Sequence, residues 1–198
     1  MSEAQLSPNA IVNLTRANVV IIDDNPYALR LMVQMMMGFG VRSHHEYQTI
    51  AEAKEHLCSL PVDLIIVDCD MPEMDGYDFV RWLRRSKLEA NAYCPVIMLA
   101  GHTKISKVKK ARDCGSNFII ARPIAPAVLM DRIVWIARDQ RSVLEAGDYI
   151  GPDRRFKDGE PPAATEERRA DMRARIAAEA AASAAAEVLA VDSERGVA

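Results

Sequence analysis

Apolar and polar positions over residues 17–140 alternate between short apolar runs and segments with helical spacing. Continuous β-branched runs bounded by turn or charged residues are typical of strands that are buried on both faces. Five strands alternating with five helices predict a doubly wound, five-stranded parallel sheet with helices on both sides. The predicted strands are 18–22, a weaker 41–45, 63–67, 95–99 and 117–120, and the predicted helices are 26–37, 50–59, 76–87, 104–114 and 126–138.

The pattern changes at both ends of this segment. Glycine and proline recur at 147, 151, 152, 159, 161 and 162, so residues 141–165 are predicted to be a Gly/Pro/Arg linker. Residues 166–198 are rich in alanine and charge, which predicts a tail that is helical or largely disordered. Residues 1–16 are expected to be disordered, and residues 17–140 form the predicted domain.

Composition narrows the class of protein. The formal net charge is -3 at pH 7, which gives no overall attraction to nucleic acid or to an anionic membrane. No apolar stretch is long enough to span a bilayer, and the first ten residues lack the pattern of a signal peptide. The four cysteines form no CxxC pair and are typical of reduced thiols. We therefore expect a cytoplasmic protein without membrane insertion.

Carboxylates end two of the predicted strands. Asp23 and Asp24 follow the first strand and Asp68 follows the third. In an open parallel sheet, ligands bind at the carboxyl ends of the strands, so three carboxylates would crowd one edge if these strands are neighbours. A hard divalent cation, most naturally Mg²⁺, would balance them. Asp68 could then act as a nucleophile toward a phosphoryl group and form an aspartyl phosphate.

Three motifs carry a specific resemblance: IIDDN at 21–25, VDCDMPEMDG at 67–76 and ARPI at 121–124. In order and spacing, residues 17–140 resemble the response-regulator receiver family, which has the CheY-like, flavodoxin-like fold. The resemblance implies that Asp68 is the phosphoacceptor. It also implies that Asp24, Asp68 and the backbone carbonyl of Asp70 bind Mg²⁺ directly, while Asp23 holds the ion through water.

The resemblance implies a function as well. The chain is expected to be a stand-alone phosphoacceptor response regulator, phosphorylated by a histidine kinase or a histidine phosphotransfer protein in a two-component phosphorelay. It would act through a downstream protein target and would catalyse only its own phosphorylation and dephosphorylation, so it is not an enzyme in the usual sense. A haloacid-dehalogenase-type phosphatase also uses an Asp nucleophile, but Pro72 breaks its D-x-D-x-T/V signature.

The chain departs from the family pattern at three positions. Ala100 stands where receivers place a Thr or Ser hydroxyl, and Thr103 is a weak substitute. Arg122 replaces the lysine that precedes the proline, and it is expected to contact the phosphate in its place. Ile119 occupies the aromatic switch position, or Phe118 does if the register differs by one. Two interpretations stay open. Either the domain is phosphorylated and signals by another route, or the acidic pocket persists while a different ligand regulates the domain.

The tail offers a second hypothesis about function. It contains no helix-turn-helix or winged-helix pattern, so no DNA binding is predicted. Arg154 and Arg155 end a GPDRR segment that resembles a motif in the tails of some CheY-like proteins, some of which bind a cyclic dinucleotide. The alternative function is therefore a phosphorylation-independent adaptor that binds a protein or a cyclic dinucleotide through its tail. A mixed-charge solvated segment without a ligand is the simpler interpretation.

Overall fold

The computed structural model describes residues 12–88, 90–101, 105–139, 141, 143–147 and 149–153. Within these residues, five strands alternate with five helices, and a short hairpin follows. In order these elements are β1 (Asn18–Ile22), α1 (Pro26–Gly38), β2 (Ser43–Tyr47), α2 (Ile50–Ser59), β3 (Leu64–Asp68), α3 (Gly76–Arg85), β4 (Val96–Ala100), α4 (Ile105–Cys114), β5 (Phe118–Ala121), α5 (Pro126–Arg138), β6 (Val143–Ala146) and β7 (Tyr149–Pro152).

The first five strands form one parallel sheet in the order β2-β1-β3-β4-β5. The predicted doubly wound fold is confirmed, and β1 and β3 are neighbours. The strand order reverses between them, because the chain moves outward from β1 to β2 and then crosses back to β3. The carboxyl ends of β1 and β3 therefore flank the switch point at which such sheets bind ligands.

Alternate residues of the strands pack into two separate cores. Val20, Ile65 and Met98 belong to the core on the face covered by α2, α3 and α4. Ile21 and Ile66 belong to the opposite core, beneath α1 and α5. The buried runs in β1, β3 and β4 are continuous because both faces of these strands are covered.

Local chemistry explains where the helices begin. Asn25 caps α1 by accepting hydrogen bonds from the Tyr27 and Ala28 amides, and Pro26 supplies a backbone angle suited to the first turn. Thr49 caps α2 through the Glu52 amide. Helices α2 and α5 have the predicted bounds, and the others agree to within two residues.

The edge strand β2 starts two residues later than predicted. Val41 is buried, but Gly40 has φ +93° and directs the chain into a turn before it can join the sheet. The paired residues Ser43–Tyr47 are mostly polar because an edge strand has one side without a neighbour. Apolar content therefore indicated the wrong start for this strand.

Both flanking predictions need correction within the described residues. The predicted linker 141–165 begins with an antiparallel hairpin, β6–β7, which turns at Gly147 with φ +60°. The N-terminal segment predicted to be disordered contains a turn, in which the Ala17 amide donates to the Leu14 carbonyl at 3.0 Å, and Leu14 packs against the core. The predicted helical tail, 166–198, lies outside the described residues.

The hairpin packs against α3 and α4. Gly115 has φ +95°, and a Cβ atom there would collide with the Ile150 carbonyl oxygen. Arg84 of α3 is only 4% exposed, and its guanidinium donates to the carbonyls of Gly115, Ala92 and Cys94 at 2.8–3.0 Å. Backbone contact between β7 and the turn after α4 therefore makes the hairpin a continuation of the domain.

Candidate functional site

Two buried carboxylates lie at the carboxyl ends of adjacent strands. Asp23 follows β1 and is 1% exposed, and Asp68 ends β3 and is 4% exposed. The Asn25 amide donates to Asp23 Oδ1 at 3.0 Å, and the Asp70 amide donates to Asp68 Oδ2 at 2.9 Å. Asp24 is exposed beside them. The three carboxylates therefore lie together at this edge of the sheet, as the sequence predicted.

Arg122 brings a cation to both buried carboxylates from the end of β5. Its amide donates to the Ala100 carbonyl at 2.8 Å, which holds the start of the β5–α5 loop beside β4. The Nη2 atom forms an ion pair with Asp23 Oδ2 and lies 3.0 Å from Asp68 Oδ1. One guanidinium is therefore shared by two buried negative charges.

The two oxygens of Asp68 have different environments. Oδ2 accepts the hydrogen bond from the Asp70 amide. Oδ1 is buried and accepts no hydrogen bond from any described group, although the Arg122 cation is near. An oxygen that is electrostatically stabilised but has no hydrogen bond keeps its lone pairs available for an incoming electrophile or metal ion.

Burial governs the protonation of this pair. It raises the pKa of Asp68, and this effect outweighs the opposing hydrogen bond from Asp70 and the charge of Arg122. Burial likewise raises the pKa of Asp23, against the hydrogen bond from Asn25 and the charge of Arg122, and repulsion from Asp68 adds to the increase. The protein's own cations thus leave the carboxylate cluster incompletely compensated.

The loop after β3 folds back on Asp68. The Gly76 amide donates to the Cys69 carbonyl at 3.0 Å, and a Cβ atom on Gly76 would collide with the Asp68 carbonyl oxygen. Asp75 caps α3 by accepting a hydrogen bond from the Asp78 amide at 2.7 Å. Burial alone would raise the pKa of Asp75, but hydrogen bonds from Lys110 and Asp78 outweigh it and lower the pKa.

The donor set fits a hard divalent cation. Asp23 and Asp68 share one guanidinium, and Asp68 Oδ1 is a buried anionic oxygen without a hydrogen bond. Carboxylate and carbonyl oxygens are the ligands that Mg²⁺ prefers. Among the described residues no three His, Cys, Asp or Glu side chains form a closed metal cluster. Because Mg²⁺ commonly keeps several waters and uses few protein ligands, an open arrangement of this kind suits it.

Two of the three departures from the family pattern lie on one face of the sheet. Ala100 is fully buried at the end of β4, and Ile119 packs against the same core cluster. Phe118 belongs to the opposite face, where its ring meets Trp135 edge-on at 4.9 Å between centroids. The residue of β5 on the side of Ala100 is therefore Ile119, which has no aromatic ring.

Three of the residues named from the sequence as candidate ligand contacts, Thr103, Arg154 and Arg155, lie outside the described residues. Two lysines near the site were not predicted. Lys107 and Lys110 of α4 form ion pairs with Asp70 and Asp75 of the β3–α3 loop. Their spacing places both lysines on one helix face, but only the tertiary structure shows which carboxylates they meet.

Curated relatives of the chain include histidine kinases. It is 27% identical over 127 residues to hybrid signal transduction histidine kinase C of Dictyostelium discoideum, a match that covers 62% of this chain and 10% of the kinase. It is 30% identical over 80 residues to histidine kinase 1 of Arabidopsis thaliana, covering 40% of this chain and 7% of the kinase. The matched segment thus spans about a tenth or less of these relatives.

Solved structures share the fold. The chemotaxis response regulator CheY4 of Vibrio cholerae aligns with a TM-score of 0.55 at 22% identity, covering 61% of this chain and 98% of that one. The receiver domain of the histidine kinase CKI1 from Arabidopsis thaliana, complexed with Mg²⁺ and BeF₃⁻, aligns with a TM-score of 0.55 at 23% identity. That match covers 64% of this chain and 93% of the CKI1 domain.

The strand order, the motifs and the comparisons agree on one family. The model of the response regulator receiver domain matches residues 19–134, which is more than half of the chain. Within the described residues, no helix is both long enough and apolar enough to cross a membrane. The chain belongs to the response regulator receiver domain family, the CheY-like domains of two-component signalling.

Proposed function

We propose that this receiver domain accepts a phosphoryl group on Asp68. The observation that carries the proposal is the state of Asp68 Oδ1, which is buried at the end of the central strand, lies 3.0 Å from a guanidinium nitrogen and accepts no hydrogen bond from any described group. Such an oxygen is anionic, positioned and available for attack on phosphorus. The proposed donor is the phosphohistidine of a histidine kinase or of a histidine phosphotransfer protein.

Each neighbouring residue has a role in this transfer. Asp68 Oδ1 forms the new bond to phosphorus, while the donor imidazole leaves with the electron pair of the broken P–N bond. Arg122 offsets negative charge on the phosphoryl oxygens and can use more than one N–H for this. Asp23, Asp24, Asp68 and the Asp70 carbonyl would hold Mg²⁺, which supplies Lewis-acid stabilisation of the phosphoryl charge.

The proposal makes the protein a signalling module. Its chemistry is restricted to its own phosphorylation and dephosphorylation, and its output is contact with a downstream protein, in the cytoplasm. Support comes from the family membership and from the likeness to receiver segments of histidine kinases. Because Ala100 and Ile119 provide neither a hydroxyl nor an aromatic ring, phosphorylation is proposed to be read by a route other than the usual one.

Labelling of full-length protein by acetyl phosphate in Mg²⁺ tests the phosphoacceptor. The phosphorylated fraction is measured on a Phos-tag gel for wild type, Asp68→Asn and the control Asp131→Asn, which alters an exposed carboxylate of α5. Wild type and Asp131→Asn should be labelled, whereas Asp68→Asn should take no label because an amide is a poor nucleophile. Undiminished, acid-stable labelling of Asp68→Asn would overturn the proposal.

A further inference from the structure

Two ion pairs join α4 to the loop that follows the phosphoacceptor. Lys107 Nζ lies 2.7 Å from each carboxylate oxygen of Asp70. One turn further along the helix, Lys110 Nζ lies 2.6 Å from Asp75 Oδ2. Both carboxylates belong to the loop between Asp68 and α3, so α4 holds this loop at its beginning and at its end.

The Lys107 pair joins a half-buried lysine to an exposed carboxylate. The Lys107 side chain is 29% exposed and the Asp70 side chain is 57% exposed, and the ammonium contacts both oxygens of the carboxylate. The neighbouring Lys110 lies 4.4 Å from the centre of the Tyr77 ring, which restricts the second contact as well. A lysine that is already restrained loses less entropy when it pairs, so each contact can reach the upper end of the range for exposed ion pairs, about 1 kcal/mol.

Asp70 links Lys107 to the reacting carboxylate. The Asp70 amide donates to Asp68 Oδ2 at 2.9 Å, while the Asp70 side chain is held by Lys107. The Asp70 carbonyl is the proposed backbone ligand of Mg²⁺. A shift of Asp70 would therefore disturb both the orientation of the Asp68 carboxylate and the metal position.

We infer that Lys107 is a positioning residue of the phosphoacceptor site. By fixing the Asp70 side chain, it holds the Asp70 backbone where its amide orients Asp68 and its carbonyl can meet the metal. The inference rests on the proposed function and assigns to α4 a role in orienting Asp68. It also connects α4 to Asp68 through the side chain and the backbone amide of Asp70.

The test compares Lys107→Gln with two matched variants. Lys107→Arg keeps the charge and the reach of the side chain. Lys109→Gln removes an exposed lysine of the same helix that forms no ion pair with any described residue. Two readouts are taken on the full chain, the thermal shift produced by Mg²⁺ alone and the labelling rate as a function of Mg²⁺ concentration at a fixed acetyl phosphate concentration.

Lys107→Gln should raise the half-saturating Mg²⁺ concentration in both readouts, by about fivefold for the loss of a contact of this kind. The labelling rate at saturating Mg²⁺ should also fall, because the Asp70 amide then holds the Asp68 carboxylate less firmly. Lys107→Arg should restore the Mg²⁺ dependence, and Lys109→Gln should match wild type. In an Asp70→Asn background, Lys107→Gln should add no further loss, since both changes break the same contact.

Two results would overturn the inference while leaving the proposed function intact. One is a labelled Lys107→Gln protein with the Mg²⁺ dependence of Lys109→Gln. The other is an additive loss in the Asp70→Asn background, which would mean that Lys107 does not act through Asp70. A wild type that takes no label on Asp68 would instead overturn the proposed function, and the inference with it.

Discussion

Arg122 Nη2 lies 3.0 Å from Asp68 Oδ1, yet this oxygen accepts no hydrogen bond from any described group. The same nitrogen pairs with Asp23 Oδ2. The guanidinium therefore stabilises the anionic form of Asp68 through its charge without occupying the lone pairs of Oδ1. Sharing one guanidinium between Asp23 and Asp68 leaves Asp68 Oδ1 available for reaction. It also leaves the buried negative charge of the two carboxylates incompletely compensated, which lowers the stability of the metal-free protein.

Removing the shared cation should destabilise the metal-free protein. Arg122→Gln leaves Asp23 and Asp68 buried without their ion-pair partner, and we expect a loss of about 1–3 kcal/mol in the free energy of unfolding. Urea denaturation in EDTA measures the difference. Arg122→Lys keeps the charge and should recover part of the loss, while Mg²⁺ should narrow the gap between variants. Equal midpoints for wild type and Arg122→Gln would contradict this prediction.

The raised pKa of Asp68 predicts how stability depends on pH. Because burial raises the pKa above that of the unfolded chain, the folded metal-free protein binds this proton more tightly. The resulting stability is fully present below the unfolded pKa, roughly 3.9, and is lost as the pH rises through the raised folded value.

Asp68→Asn should therefore raise the melting temperature of the metal-free protein at neutral pH and reduce the decline in stability above the unfolded pKa. The amide can still accept the hydrogen bond from Asp70, and Arg122 keeps Asp23 as its partner. Calorimetry between acid and neutral pH makes the measurement, with Asp131→Asn as control. A lower melting temperature for Asp68→Asn at neutral pH would show that the ion pair outweighs burial.

Mg²⁺ should stabilise the protein through the same carboxylates. At about 100 times its dissociation constant, a ligand that binds only the folded state adds about 2.7 kcal/mol to the free energy of unfolding. Asp24→Asn tests the assignment cleanly, because Asp24 is exposed and its neutralisation should hardly alter the metal-free melting temperature. The Mg²⁺-induced thermal shift should fall in Asp24→Asn and persist in Asp131→Asn. Identical shifts in both variants would exclude Asp24 as a ligand.

Much of the fold and the centre of the site could be predicted from the sequence. Strands β1, β3 and β4 are buried on both faces. Because such strands have apolar side chains on both faces, their continuous apolar runs could be recognised in the sequence. Asp23, Asp24 and Asp68 could be grouped because the ends of adjacent parallel strands lie at one edge. The pairing of Arg122 with both Asp23 and Asp68 required the register of β4 with β5.

The features that were missed depend on long-range contacts. The glycines and prolines of 147–152 indicate a break in regular structure, but β7 stays in place because Gly115 permits close backbone approach. The start of β2 is set by the turn at Gly40, which apolar content does not reveal. Lys107 is one of several lysines in α4, and nothing in its local sequence identifies Asp70 as its partner.

The absent hydroxyl at Ala100 should limit the response to phosphorylation. Ala100→Thr introduces a hydroxyl at a fully buried position, and Ala100→Val is a control of the same shape without the hydroxyl. Without phosphate, an unsatisfied hydroxyl should cost about 1–3 kcal/mol relative to the valine variant. On phosphorylation the Thr variant alone should show an enlarged shift in amide spectra of residues 100–122. A large shift already in wild type would mean that the hydroxyl is not the limiting feature.

The hairpin should be required for full stability of the receiver domain. A chain ending after residue 140 would lose β6 and β7 and expose the turn at Gly115, whereas one ending after Asp153 keeps all described contacts of the hairpin. We expect the shorter chain to lose about 1–3 kcal/mol, which lowers the melting temperature by several degrees for a domain of this size. The longer truncation should melt like the full chain.

Gly115→Ala isolates the contact between the α4–β5 turn and β7. An alanine there has both a strained φ of +95° and a collision with the Ile150 carbonyl, whereas Gly40→Ala at φ +93° meets no atom within 4 Å. Gly40→Ala therefore measures backbone strain alone, about 1 kcal/mol. Gly115→Ala should cost clearly more in the chain ending after Asp153 and only as much as Gly40→Ala in the chain ending after residue 140. If the two glycine variants are equally destabilised in both chains, the hairpin does not press on this turn, and the domain boundary belongs at the end of α5.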